Sequence, residues 1–315
     1  MIRSLGPTCT PSAKYLFAIA LFTLIGALRA AEPSALEKAI LPIAEAHKGK
    51  IAVAVKNLAT GESYRLRGDE VMPTASLIKL GVMIEAYQQA EDKKVKLEQA
   101  LTLKAEDKVP GAGILTLHFS DGATFPLKDA IRLMMVYSDN TATNLVLDSV
   151  GIREVNERME KLGLEETKIN AKVYKGSTTS IDKARTDKYG LGSTTANETL
   201  KLLELLHTGK VVSAAACEAM LGHMKANDDK EMAVRFLPVG TVVAHKTGAV
   251  NKARTEAGII YVPDPADKKK KIPVAFCVLT DGNEDVRWVV DNAAQVTIAK
   301  IAKAVYDAHA IEKNK

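Results

Sequence analysis

Strand-like segments lie near both ends of this chain, and helix-like segments fill the stretch between them. Residues 36–47 carry apolar positions at helical spacing. Residues 51–55 and 63–66 alternate as strands, and Thr60-Gly61 between them supplies a hairpin turn. From Ser76 to about Gly222 the helical period dominates, broken by several turns. Residues 241–244, 256–262 and 272–279 return to strand patterning, and residues 285–310 read as one long amphipathic helix. Strands at both ends around a helical insert require one antiparallel sheet assembled from both ends of the chain. The expected class is therefore α+β: a sheet flanked by the terminal helices, with an inserted all-helical lobe. A chain of this size accommodates one domain or two lobes.

The first thirty residues have the character of an export signal. Arg3 and Lys14 precede an apolar run over residues 15–28, and Ala30-Ala31 are small enough for cleavage. The run is short for a stable span, although an uncleaved anchor is the alternative. Cys9 lies before the run, so it cannot be a lipid-bearing cysteine at the cleavage point. Removing the segment takes out three cations and no carboxylate, so the net charge falls from +5 to +2. That balance argues against a nucleic-acid partner. Lys268 to Lys271 is a basic run between two strands, which fits a solvated hairpin loop. The exported chain keeps Cys217 and Cys277, too few for a disulfide framework, and whether they pair is open. No histidine, cysteine or carboxylate cluster has metal-ligand spacing, and no cofactor motif is present. The expectation is a secreted or periplasmic protein, monomeric, without metal or cofactor.

Three short segments carry the chemistry: Ser76-Leu77-Ile78-Lys79, Ser138-Asp139-Asn140 and Lys246-Thr247-Gly248. A serine hydroxyl is a weak nucleophile and needs a neighbouring base. Ser76 opens a helical pattern, where free N–H groups favour developing negative charge. Lys79 follows on the same face one turn later, and a desolvated lysine beside another cation can be neutral enough to accept a proton. In this order and at these gaps, the three segments resemble those of class A β-lactamases and penicillin-binding serine hydrolases. The resemblance runs from about Leu36 to the last helix.

The resemblance implies a two-lobed β-lactamase/transpeptidase-like fold with the site in the cleft between lobes. Residues 1–30 are then the signal and residues 31–315 one serine-hydrolase domain. Its α/β lobe spans 31–72 and 226–315, and its helical lobe 73–225. Ser76 is implied as nucleophile, Lys79 and Ser138 as proton-transfer groups, and Lys246 as the second cation. Asn140, Thr247 and Gly248 are implied to bind substrate, with Thr247 and Lys246 holding its carboxylate. The backbone N–H groups of Ser76 and Ala249 form the implied oxyanion hole. Arg254, early on the next strand, adds either a second cation for the carboxylate or a surface arginine. Asp139 reads as a brace for its loop, and His245 as a core residue on the face opposite Lys246.

One departure from the resembled family bears on function. Class A β-lactamases carry a loop glutamate that places the hydrolytic water. Spacing carried forward from Ser138 and Gly151 puts Val173 or Tyr174 there, and neither is a base. Glu165 and Glu166 lie too early, while Asp182 and Asp187 come later in the loop. Three readings follow. The first is a class A-type hydrolase opening the amide of a small-molecule β-lactam, with slow or atypical deacylation. The second is a D-Ala-D-Ala peptidase acting on cell-wall peptide. The third is a binding or sensor module that stays acylated.

Overall fold

The computed structural model describes Gly6 and residues 33–310. The export signal read over residues 1–30 thus falls, Gly6 apart, outside the described residues. The terminal strands pair into one five-stranded antiparallel sheet. Its order is Ser63–Leu66, Lys50–Asn57, Lys271–Asp281, Ala253–Pro263, Val242–Val250. Ala54 lies opposite Cys277, and Cys277 opposite Ala257, so the two ends of the chain are interleaved. The strand carrying Lys246 is one of the two edge strands of this sheet.

Period-two alternation divides the sheet into unlike faces. One face presents Ile51, Val53, Val55, Val274, Phe276 and Val278 to the terminal helices Ala35–Glu45 and Ala293–Ala310. The other presents small side chains, among them Ala52, Ala54, Ala244, Ala257, Ala275 and Cys277. Small residues there let the helices of the inserted lobe approach the strands closely. The insert includes the helices Lys79–Glu91, Leu127–Val136, Asn140–Val150 and Ala196–His207. Two short antiparallel ribbons stitch its loops together: Ala100–Thr102 with Thr124–Pro126, and Gly192–Thr194 between Met72–Pro73 and Lys168–Ile169.

The last helix starts at Ala293, eight residues later than its apolar spacing implies. Asp285 accepts the N–H groups of Arg287 and Ala293, and the Asn292 amide donates to the carbonyls of Asp285 and Arg287. Side chains that satisfy backbone groups locally compete with the helix, and here they hold residues 285–292 as a knotted loop. Cys217 and Cys277 are both buried and unpaired. Burial pushes the Cys277 thiol up to about 12, so it is an inert packing group. Among the described residues no helix is long and apolar enough to cross a membrane.

Candidate active site

Ser76 lies in a single 3₁₀ turn, Ala75–Ile78, that runs into the helix Lys79–Glu91. The sequence reads as one continuous helix here; the structure tightens its first turn. Ala75 adopts φ 46°, a left-handed conformation rare for a residue with a side chain. The sheet holds the turn in place. Thr255 donates its hydroxyl to the Thr74 carbonyl at 2.7 Å. Gly248 lies so close that a Cβ there would stand 2.5 Å from the Thr74 oxygen and 2.9 Å from the Leu77 nitrogen. The glycine therefore makes room for the protein's own nucleophile turn, a need distinct from the close approach of substrate that its motif implies. Gly248→Ala is expected to push the turn off the strand. It should cost about 1–3 kcal/mol of stability and slow acylation of Ser76, as read by thermal melting and by adduct formation with a penicillin.

Two lysines and a serine meet beside this turn. The Lys79 ammonium donates to the Ser138 carbonyl at 2.7 Å, the Ser138 hydroxyl at 3.2 Å and Asn140 Oδ1 at 2.9 Å. Lys246 reaches the same Ser138 hydroxyl from the sheet at 3.0 Å and donates to the Thr247 carbonyl at 2.7 Å. Both lysines are fully buried. Burial, reinforced by the Lys246 cation, holds Lys79 well below the ordinary lysine range, with Asp139 pulling the other way. Burial pushes Lys246 down to about 8 against the opposing pull of Asp229 and Glu256. The arrangement supplies a lysine biased toward its neutral form near a serine, a second lysine that keeps more of its charge, and a hydroxyl bridging the two.

The Ser138 loop is held under strain. Ser138 has φ 53°, and with Ala75 and Tyr174 it makes three of the five non-glycine residues with positive φ among the described residues. Strained backbone of this kind persists only where its surroundings enforce it, and all three residues face one cleft. Asp139 is the enforcing group. Its carboxylate accepts the N–H groups of Ile114, Leu115 and Ala142, capping the helix Asn140–Val150 and tying down the neighbouring loop. It acts as the brace that the sequence implies. Asn140 spends its amide nitrogen on the Pro110 carbonyl at 3.0 Å and its oxygen on Lys79.

Ser76, Asn140 and Ala249 line the cleft together with Val173 and Tyr174. Ser138, Thr247 and Gly248 line its continuation toward the sheet. Val173 is fixed at both backbone groups by one side chain. Its N–H donates to Asn144 Oδ1 at 2.9 Å, and its carbonyl accepts from Asn144 Nδ2 at 3.1 Å. Among the described residues, the loop side of the cleft presents no carboxylate. Asp182 caps a short helix, Asp187 pairs with Lys183, and Glu166 pairs with Arg185; none of the three lines the cleft. Asp228, Asp229 and Glu231 line the continuation of the cleft.

Arg254 is not brought to the cleft. Its guanidinium donates to the carbonyls of Val250, Ala253 and Arg287 and to Gln295, and it stacks on Trp288 with 4.6 Å to the ring centroid. Its donors are spent inside the protein, and what reaches the cleft is Trp288. Sequence reasoning missed Trp288, because the residue falls in a stretch that reads as helix. His245 is buried on the face opposite Lys246, as alternation implies, but it has an acidic partner: Nδ1 lies 2.6 Å from Glu256. That pairing was also missed. A glutamate opening an otherwise apolar strand was the available signal.

Against known proteins, the model of the β-lactamase enzyme family matches residues 35–309. The chain belongs to the β-lactamase enzyme family. A β-lactamase of Bacteroides uniformis is 25% identical over 94% of this chain and 99% of its own. The crystal structure of a β-lactamase from Sphaerobacter thermophilus DSM 20745 superposes with TM-score 0.74 at 27% identity, covering 87% of this chain and 96% of that one. A mutant of PBP-A in an acyl-enzyme complex with penicillin G shares the fold, with TM-score 0.73 at 22% identity over 87% of this chain and 95% of that one. Family membership supports a hydrolase acting on β-lactam amides.

Proposed function

We propose that this protein is an exported active-site serine hydrolase, acylated on Ser76 by β-lactams and slow to release the acyl group. The observation that carries the reading is the pairing of a complete acylating set with an incomplete deacylating one. Lys79, Ser138, Asn140 and Lys246 form one hydrogen-bonded cluster beside the Ser76 turn. The residue clamped over the same cleft by Asn144 is a valine.

In this mechanism Lys79 takes the Ser76 proton as the hydroxyl attacks the lactam carbonyl. The N–H groups of Ser76 and Ala249 stabilise the resulting oxyanion. Ser138 then passes a proton to the leaving nitrogen, replenished through Lys79 or Lys246. Lys246 and Thr247 hold the ligand carboxylate, and the second hydrogen of Asn140 Nδ2, the first being given to the Pro110 carbonyl, meets the ligand's amide oxygen. Hydrolysis of the ester needs a base to activate water, a contribution of roughly a hundred- to ten-thousand-fold. Among the described residues no carboxylate stands on the loop side of the cleft.

The same absence favours a second reading, a D-Ala-D-Ala peptidase on cell-wall peptide, which uses the acylation chemistry and resists β-lactam turnover. One experiment separates them: a chromogenic β-lactam and a D-Ala-D-Ala-terminated peptide run in parallel. A stoichiometric burst and slow release with the β-lactam supports acylation without efficient turnover. Rapid release of D-Ala from the peptide makes the peptidase the physiological activity. Absence of any burst with the β-lactam would overturn the acylation reading.

A further inference from the structure

Trp288 is the chain's single tryptophan, and it is 64% exposed. An exposed aromatic needs no explanation by itself. This one is held from beneath. The Arg254 guanidinium lies 4.6 Å from the centroid of its ring. Arg254 is fully buried and firmly fixed, donating to three backbone carbonyls and, through Nε, to Gln295 Oε1 at 3.2 Å. Gln295 donates in turn to Glu231 Oε2 at 3.3 Å. Asp285 and Asn292 tie down the loop on either side of Trp288. One face of the indole is committed to the protein, and the rest of the ring stays open. It opens into a particular part of the cleft. Trp288 lines it with Ser138, Thr247 and Gly248, whereas Ala171, Val173 and Leu191 line the other part. Ser76 and Ala249 belong to both. A lactam with its carbonyl at Ser76, its nitrogen at Ser138 and its carboxylate at Thr247 thus turns its carboxylate-bearing half toward Trp288.

We propose that Trp288 is a specificity-determining residue that stacks on a neutral planar group carried by the ligand beside its carboxylate. This rests on Ser138 meeting the leaving nitrogen and Thr247 the carboxylate. Two features favour a neutral planar occupant. A ring already fixed in place loses little freedom on binding. The guanidinium on its inner face already draws on the π charge, which leaves the outer face a poorer host for a second cation. A cationic group is the competing occupant, because Asp228, Asp229 and Glu231 line the same part of the cleft. Two of these acids are engaged: Glu231 accepts from Gln295, and Asp229 accepts the Glu231 N–H.

The test uses the full-length protein and three cephalosporins that share one acyl side chain. Beside the carboxylate they carry a methyl, a phenylvinyl or a trimethylammoniomethyl group. Intact mass against time gives the acylation rate constant for each. The phenylvinyl-to-methyl quotient, compared between protein variants, cancels the intrinsic reactivity of the ligands. Trp288→Ala is expected to lower that quotient about two- to tenfold, the scale of an aromatic pair. Trp288→Phe is expected to restore most of it. An unchanged quotient in Trp288→Ala overturns the proposal. A larger loss for the ammonium ligand than for the phenylvinyl one makes the ring a cation site and overturns it too. If Trp288→Ala does not fold, Trp288→Leu keeps an apolar cover over Arg254 and is judged by the same quotient. A second readout needs no acylation. Fluorescence of Ser76→Ala comes from Trp288 alone, and the phenylvinyl ligand is expected to shield it from acrylamide more than the methyl ligand does; equal shielding overturns the proposal. Selective shielding with no adduct on the unmodified protein sinks the acylation reading and leaves this one standing. Adducts with an unchanged quotient do the reverse.

Discussion

Incubation with a penicillin is expected to leave one covalent adduct on the protein, and Ser76→Ala none, as read by intact mass. Ser76 is the hydroxyl that combines access to the cleft with the start of a helix and a buried lysine three residues on. Ser138 also faces the cleft, but it accepts from both ammonium groups and has the geometry of a relay. An adduct that survives Ser76→Ala would move the nucleophile elsewhere and sink the assignment. The lysines are expected to fail differently. Lys79→Ala removes the proton acceptor and should slow acylation about 10²- to 10⁴-fold. Lys246→Ala should weaken recognition, and more for carboxylate-bearing ligands than for neutral esters. Equal losses for both ligand types would contradict that division.

The sequence carries the architecture well where the physics is local. Alternation of large and small apolar residues defines the strands, and the hairpin strand Ser63–Leu66 matches its sequence pattern residue for residue. It fails at residues 285–292, where apolar spacing imitates a helix. There Asp285 and Asn292 satisfy backbone groups that a helix would otherwise use. The site divides the same way. Ser76, Lys79, Ser138, Asn140 and Lys246 can be found from chemistry at fixed spacing, and the fold brings them together. The meetings of distant segments are not legible. That Gly248 makes room for the Thr74 carbonyl, that Glu256 reaches both His245 and Ala233, and that Arg254 faces inward under Trp288 depend on tertiary contacts. Residue type alone gives an arginine no direction. Here three backbone carbonyls captured it before a ligand carboxylate could.

Val173→Glu is expected to speed release of a penicillin acyl group by roughly a hundred- to ten-thousand-fold while leaving acylation unchanged. The structure makes the position specific. Asn144 holds both backbone groups of Val173, so a new side chain starts from a fixed point on the cleft that Ser76 lines. Tyr174 lines the cleft too, but it is largely exposed at a left-handed φ of 56°, and a carboxylate there would be held less firmly. Two effects compete at residue 173. Burial pushes a new carboxyl toward its protonated form, which cannot act as a base. The nearby cationic groups and a bound water favour the ionised form. The gain in release is therefore expected to grow as pH rises through the new carboxyl's titration, and to vanish below it. Stopped-time measurement of burst and release across pH separates this from a mere loosening of the loop, which would speed release at every pH. Rapid steady-state hydrolysis of penicillins by the unmodified protein would overturn the premise. Since Asp182 and Asp187 lie away from the cleft, the base would then have to come from Asp228, Asp229 or Glu231, which line it toward the sheet, or from Lys79 itself.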